Sequence, residues 1–265
     1  MAEVLNIDNL IINRIVRGTL FDKSTAEVIV SVDQLREASL ECGGEQVFAT
    51  DALGQNIAAF DRSKSATLTA SNAILNFGLM AAQLGSDKVV ATEENKLVSP
   101  AFELIEVKDP TKITLGATPI DGTLKYIYST HNDKSKNVQY TLGTAASESE
   151  FAIVGTEITL PTDAFKVGDM VAVWYEKEVS RGVEIINSTQ KFAKGGKFVL
   201  EVLACDVCDT NKEYYTYVIF NNAKFDNNST IDFSNEAQQQ FTINAMQDYC
   251  SKNNELFRIV VDAEQ

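Results

Sequence analysis

Two spacings of apolar residues divide the chain into many predicted strands and one predicted helix. Asp51-Ala52-Leu53-Gly54 predicts a turn. From Phe60 to Thr69 apolar and long side chains alternate with small polar ones, which predicts a long strand. After it, Ala73, Phe77, Met80 and Leu84 recur at helical spacing, which predicts a helix over residues 72–84. Ser71 is positioned to cap this helix and Gly85 to end it. Because no other segment shows a convincing helical period, the helix is expected to cover one apolar face of a sheet.

Two shorter segments before this stretch predict strands with one apolar and one acidic face. In Glu27 to Asp33 three valines alternate with polar residues, and Glu37 to Cys42 alternates in the same way. The polar faces of these segments include Glu27, Asp33, Glu37 and Glu41. Gly43 and Gly44 then predict a turn.

The sequence predicts an all-β fold with one flanking helix and an inserted small β-sandwich domain. All four prolines lie between residues 100 and 161, and residues 109–180 contain short strand patterns separated by turn signals. Trp174, the single tryptophan, is expected in the core of this insertion. Residues 1–108 contain too few strands to close a core, so residues 181–265 are predicted to complete the same domain.

The charge of the chain disfavours a nucleic-acid reader. Its formal net charge is −14, and a strongly acidic protein repels a phosphate backbone. Ten acidic and six basic residues within 109–180 leave −4 there and −10 in the rest of the chain. Asn13, Arg14 and Arg17 interrupt the first apolar pattern, so neither a signal peptide nor a membrane-spanning run is expected.

Residues suited to catalysis or metal binding are sparse. The single histidine, His131, falls in a predicted hairpin turn, where a catalytic triad would have to be built on a loop. Cys205 and Cys208 form one CxxC pair that Cys42 and Cys250 could complete as a zinc site, but reduced structural thiols are the simpler interpretation. We therefore predict no catalytic residue, no metal and no cofactor.

Two stretches and the insertion resemble phage structural proteins. The segment from Val47 to Gly85, with Lys64-Ser65-Ala66 at the start of its strand, resembles the major tail tube proteins of tailed bacteriophages. The segment from Asn222 to Ile259, which contains Glu255-Leu256-Phe257-Arg258 near its end, also resembles these tail tube proteins. The insertion patterns at 113–115, 155–161 and 171–175 resemble the small β insertion of some phage structural proteins.

The resemblance implies a virion protein made in the cytoplasm of the host bacterium. Tube proteins of this kind form a β-sandwich with one helix, join as hexameric rings into a continuous barrel, and stack into a tube that conducts the genome. The implied partners are other copies of the chain and tail proteins such as the tape measure, terminator and baseplate or tip proteins. DNA would pass in transit without specific binding, no membrane is involved, and like-charged walls would let the DNA slide.

This resemblance makes the acidic strand faces candidates for the tube lumen. Glu27, Asp33, Glu37 and Glu41 are the lumen-facing candidates, because the apolar faces of their strands are required by the core. A β-rich surface adhesin or carbohydrate-binding module is the alternative from another class, and an enzyme is the third. The purified protein distinguishes the first two, because a tube protein forms rings or polymers whereas an adhesin stays small and retains a glycan.

Overall fold

The computed structural model describes residues 9–130, 138–207, 209–233, 238–249 and 254–263. These residues form strands and a single helix, so the all-β prediction with one helix is confirmed. The chain divides into two compact units. Unit 1 comprises Met1–Lys88 and Ile185–Gln265, and unit 2 comprises Val89–Glu184.

The elements are numbered in chain order. They are β1 Leu10–Phe21, β2 Val28–Val32, β3 Leu35–Thr50, β4 Asn56–Asn72, α1 Phe77–Leu84, β5 Val89–Val90, β6 Leu97–Glu106, β7 Lys112–Thr114, β8 Tyr126–Thr130, β9 Val138–Leu142, β10 Glu150–Val154, β11 Glu157–Thr159, β12 Met170–Val179, β13 Val183–Glu184, β14 Gly195–Asp206, β15 Glu213–Phe225, β16 Gln239–Ala245 and β17 Arg258–Asp262.

Unit 1 is one eight-stranded sheet that curls almost closed around a single core. Its strand order is β2-β1-β14-β15-β16-β4-β3, with β17 also paired to β15, and every pairing is antiparallel. The sheet nearly closes, since β3, at one end of this order, also contacts β1, the strand next to the other end. The core holds Phe198, Phe220, Phe241, Leu68 and Ile243, each at most 2% exposed. The ring of Phe198 meets those of Phe220 and Phe241 at tilted or edge-on angles, the arrangement that aromatic pairs prefer.

Helix α1 is shorter than predicted and uses a different cap. It spans Phe77–Leu84 rather than 72–84, because β4 continues through Asn72 and pairs there with β3 and β16. Ser71 therefore lies in the sheet, and Asn76 caps the helix by accepting a 3.0 Å hydrogen bond from the backbone N–H of Leu79. Gly85 ends the helix as predicted, with φ 67°. A Cβ at Gly85 would lie 1.9 Å from the carbonyl oxygen of Phe192, so only glycine fits this close approach.

The predicted apolar face of α1, with Ile74 and Ala81 beside it, is only partly right, because Ala81 is buried and Met80 and Leu84 are half-buried but Ile74 is exposed. Phe77 is exposed, whereas Leu79, Ala81, Ala82 and Gln83 are buried. The side of α1 that packs on the core of unit 1 is therefore centred on Leu79 and Ala82 rather than on Phe77. The amide of Gln83 is hydrogen-bonded inside unit 1, which allows a polar side chain to take a core position.

Two details of β2 and β3 differ from the simple alternating pattern. In β2, a register shift opposite Leu20 and Phe21 inserts an extra residue, so Val28 is 57% exposed while Val30 and Val32 are buried. In β3, Gly43 and Gly44 do not form the predicted turn. They continue the strand and pair with Ser65 and Lys64 of β4.

Unit 2 is a seven-stranded sheet with its own core, in the order β6-β12-β8-β9-β10-β11-β7. Its core holds Phe151, Ile127, Ile158, Val171 and Val173, all fully buried. The limits of unit 2 lie outside the expected 109 and 180, because β6 pairs with β12 along its whole length. A short pair, β5 with β13, lies where the chain enters and leaves this unit.

The expected core position of Trp174 is wrong. Along β12, Val173 and Tyr175 are buried, and the strand alternation turns Trp174 to the opposite face, where it is 51% exposed.

Candidate assembly surfaces

The hairpin of β3 and β4 changes character along its length. Its root, residues 35–40 with 66–72, contributes Leu35, Leu68 and Ala70 to the core of unit 1. Its outer part, Glu41–Ser65, is called the arm here. Every arm residue is exposed except Ala49, which is half-buried, so among the residues that the structure describes neither face of the arm packs on a core.

The tip of the arm is apolar on both faces. Val47 pairs with Phe60 and Ala49 with Ala58, which places these four side chains on one face. Phe48 pairs with Ala59 on the other face, so the two phenylalanines point in opposite directions. Phe48 is 49% and Phe60 56% exposed. A surface that is apolar on both sides is expected to be covered on both sides.

The inner part of the arm is polar. Glu45, Arg62 and Lys64 are exposed, and the Gln46 amide donates a 2.8 Å hydrogen bond across the strands to the carboxylate of Asp61. A register shift between Glu45 and Gln46 interrupts the ladder here. This shift increases the local twist one residue pair before the apolar tip begins at Val47 and Phe60.

The loop that closes the arm is held by one carboxylate. Oδ1 of Asp51 accepts hydrogen bonds from the backbone N–H groups of Leu53, at 2.9 Å, and Gln55, at 2.8 Å. Gly54 has φ 84°, a conformation that favours glycine. The turn predicted at residues 51–54 is therefore confirmed, and it fixes the register of the tip.

The predicted lumen candidates occupy two different settings. Glu37 and Glu41 lie in β3, whereas Glu27 precedes β2 and Asp33 follows it. All four side chains are exposed.

Glu37 and Glu41 belong to a polar face of β3, β4 and β16. Glu37 pairs with Ser71, and Glu41 pairs with Thr67. From there the face continues into β16, where Thr67 donates a 3.3 Å hydrogen bond to Asn244. Asn244 in turn donates to Asp226 at 3.2 Å. The pKa of Asp226 is lowered, mainly by a hydrogen bond from the backbone N–H of Asn228 and secondly by the one from Asn244. This carboxylate is therefore ionised at neutral pH.

A buried amide cluster, missed in the sequence, attaches α1 to β16. Gln239 is fully buried and donates a 2.8 Å hydrogen bond to Gln83, whose own amide donates to the carbonyl of Gln240 at 2.8 Å. The backbone N–H of Asn76 donates to Gln239 at 2.9 Å. One sequence signal could have found part of this cluster, because Gln239 lies two residues before Phe241 and four before Ile243 and therefore on the same strand face as these apolar residues.

The residues considered for catalysis and metal binding are not brought together where the structure describes them. Cys42 is exposed on the arm and Cys205 is buried in β14, while His131, Cys208 and Cys250 lie outside the described residues. Within the described ranges, no cluster of three or more histidine, cysteine, aspartate or glutamate side chains could hold a metal ion. No helix in that part of the chain is long and apolar enough to cross a membrane.

An all-β architecture with an arm open on both faces is typical of a subunit that assembles with further copies. The chain belongs to the YomU/Tube protein family, whose match covers residues 10–259. Membership indicates a phage tube-like structural protein with a place in the virion tail, and therefore a structural rather than a catalytic role. The comparison with curated proteins finds no match.

Proposed function

We propose that the chain polymerises as stacked hexameric rings into the tail tube, and that the acidic lumen of this tube conducts phage DNA during ejection. The observation that carries the proposal is the arm. An isolated two-stranded hairpin is marginally stable in water, so an arm without a core needs a partner surface. In a tube the partner is another copy of the chain.

The arm tip suits a contact between copies. Val47 and Phe60 on one face and Phe48 on the other are large enough to act as buried anchors. The polar inner part allows the arm to cross a solvated gap before the tip docks. The exposed free edges of β2 and of the arm are further surfaces through which copies can pair, since an unpaired strand edge is a template for another strand.

Negative-stain microscopy of the purified protein tests assembly directly. We expect closed rings and stacked tubes for the native chain. Replacement of both tip phenylalanines, Phe48→Asp with Phe60→Asp, places a charge on each face and is expected to abolish tubes, because a buried unpaired carboxylate is strongly unfavourable.

The matched control is Val154→Asp, which makes the same kind of change at an 84% exposed position of unit 2. This variant is expected to assemble normally. A native protein that stays monomeric at high concentration, with no particles in micrographs, would contradict the proposal.

The lumen assignment is tested by charge reversal. Changing Glu27, Asp33, Glu37 and Glu41 to lysine is expected to leave assembly possible and to make tubes retain DNA, with retention falling as salt rises. The control reverses Glu93, Glu94, Asp121 and Glu148, four exposed acids of unit 2. Equal DNA retention by both variants would contradict the lumen assignment without affecting the tube proposal.

Unit 2 is proposed to be an insertion that projects from the tube and is dispensable for its wall. Its support is a separate core and strands that pair only with one another among the described residues. Replacing residues 91–182 by a short linker is expected to leave tubes of normal bore. Loss of all soluble protein from that variant would instead show that unit 2 is integral.

The proposed partners beyond self-assembly are the tape measure, terminator and baseplate or tip proteins of the tail. DNA is in contact with the protein only during transit, without sequence-specific binding. The support for these partners is membership of the family and the net charge of −14, which opposes attachment to DNA.

A further inference from the structure

The outward face of unit 2 carries an exposed aromatic cluster that the tube proposal does not use. Trp174 of β12 lies directly opposite Phe102 of β6, with ring centroids 4.7 Å apart. Tyr128 of β8 packs its edge against Trp174 at 5.4 Å. Leu104 and Tyr126 are exposed on the same face. We call these five residues the aromatic patch.

The patch is not part of the hydrophobic core of unit 2. Behind Trp174, the inward residues Val171, Val173 and Tyr175 already fill a complete core on the other side of the sheet. The rings of the patch also stand on paired strands rather than on loops, so their positions are fixed before any ligand binds. Rigid exposed aromatic groups of this kind are typical of binding surfaces.

Polar groups that can exchange hydrogen bonds surround the rings. Glu176 follows two residues after Trp174 on the same face of β12, and Gln139 and Thr141 lie opposite Tyr128 and Tyr126 on β9. All three polar side chains are exposed. Together they offer amide and hydroxyl donors as well as carboxylate, amide and hydroxyl acceptors.

The charge of this face argues against an anionic ligand. Its described strand positions on β6, β8, β9 and β12 include Glu106 and Glu176 and neither lysine nor arginine, while the charge of a third acid, Glu178, is paired with Lys96 at 2.9 Å. Such a face repels nucleic acids and other polyanions.

The size of the patch argues against a stable protein partner. The four exposed side chains of the patch, Phe102, Leu104, Tyr126 and Trp174, present roughly 100 Å² each, so the patch offers about 400 Å². A stable protein–protein interface takes about 800 Å² from each partner. The area suits a short run of sugar rings, whose C–H faces pack on aromatic rings while their hydroxyl groups hydrogen-bond to the polar rim.

We propose that the aromatic patch of unit 2 is a binding site for a neutral polysaccharide. Trp174, Phe102 and Tyr128 supply the ring surfaces, and Glu176, Gln139 and Thr141 supply the hydrogen bonds. The proposal does not depend on tube assembly, because every residue of the site lies within unit 2.

Fluorescence provides the test, because Trp174 is the only tryptophan of the chain. The full-length protein is titrated with two neutral oligosaccharides, an N-acetylglucosamine tetramer and a glucose tetramer, and with dextran sulfate. We expect a saturable blue shift with at least one neutral oligosaccharide and no shift with dextran sulfate. Phe102→Ala and Tyr128→Ala are each expected to weaken binding about tenfold while Trp174 still reports it.

Val154→Ala is the control, since Val154 is exposed in unit 2 but lies outside the patch, and its binding is expected to be unchanged. No shift with either neutral oligosaccharide at millimolar concentration would overturn the proposal, as would an equal response to dextran sulfate. A blue shift that depends on protein concentration in the absence of sugar would show that a second copy occupies the patch, which would also overturn it. Failure of this test in a protein that forms tubes leaves the tube proposal intact.

Discussion

The root and the arm of the β3–β4 hairpin have the same antiparallel pairing but opposite surroundings. In the root, Leu68 is 1% exposed against Ile243 and Leu40. In the arm, the two faces carry apolar residues with no core behind them. The comparison shows that backbone pairing alone does not tell which part of a hairpin stabilises the subunit. Burial distinguishes the root, which stabilises the subunit, from the arm, which is available to a partner.

Truncation of one apolar residue in each part gives the largest expected contrast. Leu68→Ala in the root removes a buried side chain and is expected to lower the free energy of unfolding by about 2–5 kcal/mol. Ile57→Ala in the arm changes an exposed side chain and is expected to alter it by less than about 0.5 kcal/mol. Urea denaturation of unassembled protein measures both values. Equal destabilisation by the two variants would show that the arm packs within its own subunit.

The amide cluster next to the root gives an intermediate effect. Gln239→Ala leaves the Gln83 amide and the Asn76 backbone N–H without their buried partner, and is expected to cost about 1–3 kcal/mol. Gln46→Ala removes an exposed amide from the arm and is expected to change stability very little. Thermal unfolding of the two variants measures the difference. A Gln239→Ala protein as stable as the native one would show that the cluster does not hold α1 in place.

Two neighbours on β12 extend the same contrast to unit 2. Trp174 points outward, while Tyr175 is buried and donates a hydrogen bond to Glu103. The pKa of Tyr175 is raised to about 12, mainly because the phenol is buried and secondly because of this hydrogen bond. The protonated form is therefore favoured by folding, so its contribution is complete below about pH 10 and is lost as pH rises toward about 12.

The alkaline effect is the smallest of the three and is specific to Tyr175. Absorbance of tyrosinate in native protein and in Tyr175→Phe is expected to differ by one group that titrates late, near pH 12. Trp174→Phe is the matched control at the exposed neighbour and is expected to leave that late titration unchanged. Complete tyrosine ionisation by pH 10.5 in the folded native protein would contradict the assignment, because the ordinary tyrosine value is about 10.

The sequence predicted the elements better than it predicted their faces. The strand from Phe60, the turn at residues 51–54 and the helix end at Gly85 were recognisable because alternation, turn chemistry and a C-terminal glycine are local signals. The exposed position of Val28 was not, because it depends on a β-bulge opposite Phe21 of another strand. The expected core position of Trp174 was wrong for a related reason, since the register of β12 with its neighbouring strands decides which of its faces is buried.

The candidate surfaces were only partly accessible from sequence. The pattern identified Glu37 and Glu41 as one polar face of a strand, but it could not show that Gly43 and Gly44 prolong that strand into an arm. Glycine pairs normally predict turns, and here long-range pairing with Ser65 and Lys64 overrides that preference. The aromatic patch was equally hidden, because Phe102, Tyr128 and Trp174 are brought together only by the pairing of three strands.

Hydrogen exchange of the arm tests the central claim most directly. Backbone amides of the arm and of the root are compared in dilute, unassembled protein and in assembled particles. The account predicts that root amides are protected in both states, while amides at the tip, around Phe48 and Phe60, become protected only on assembly. Particles that form without any change in exchange at the tip would contradict the claim that the arm is the surface through which copies assemble.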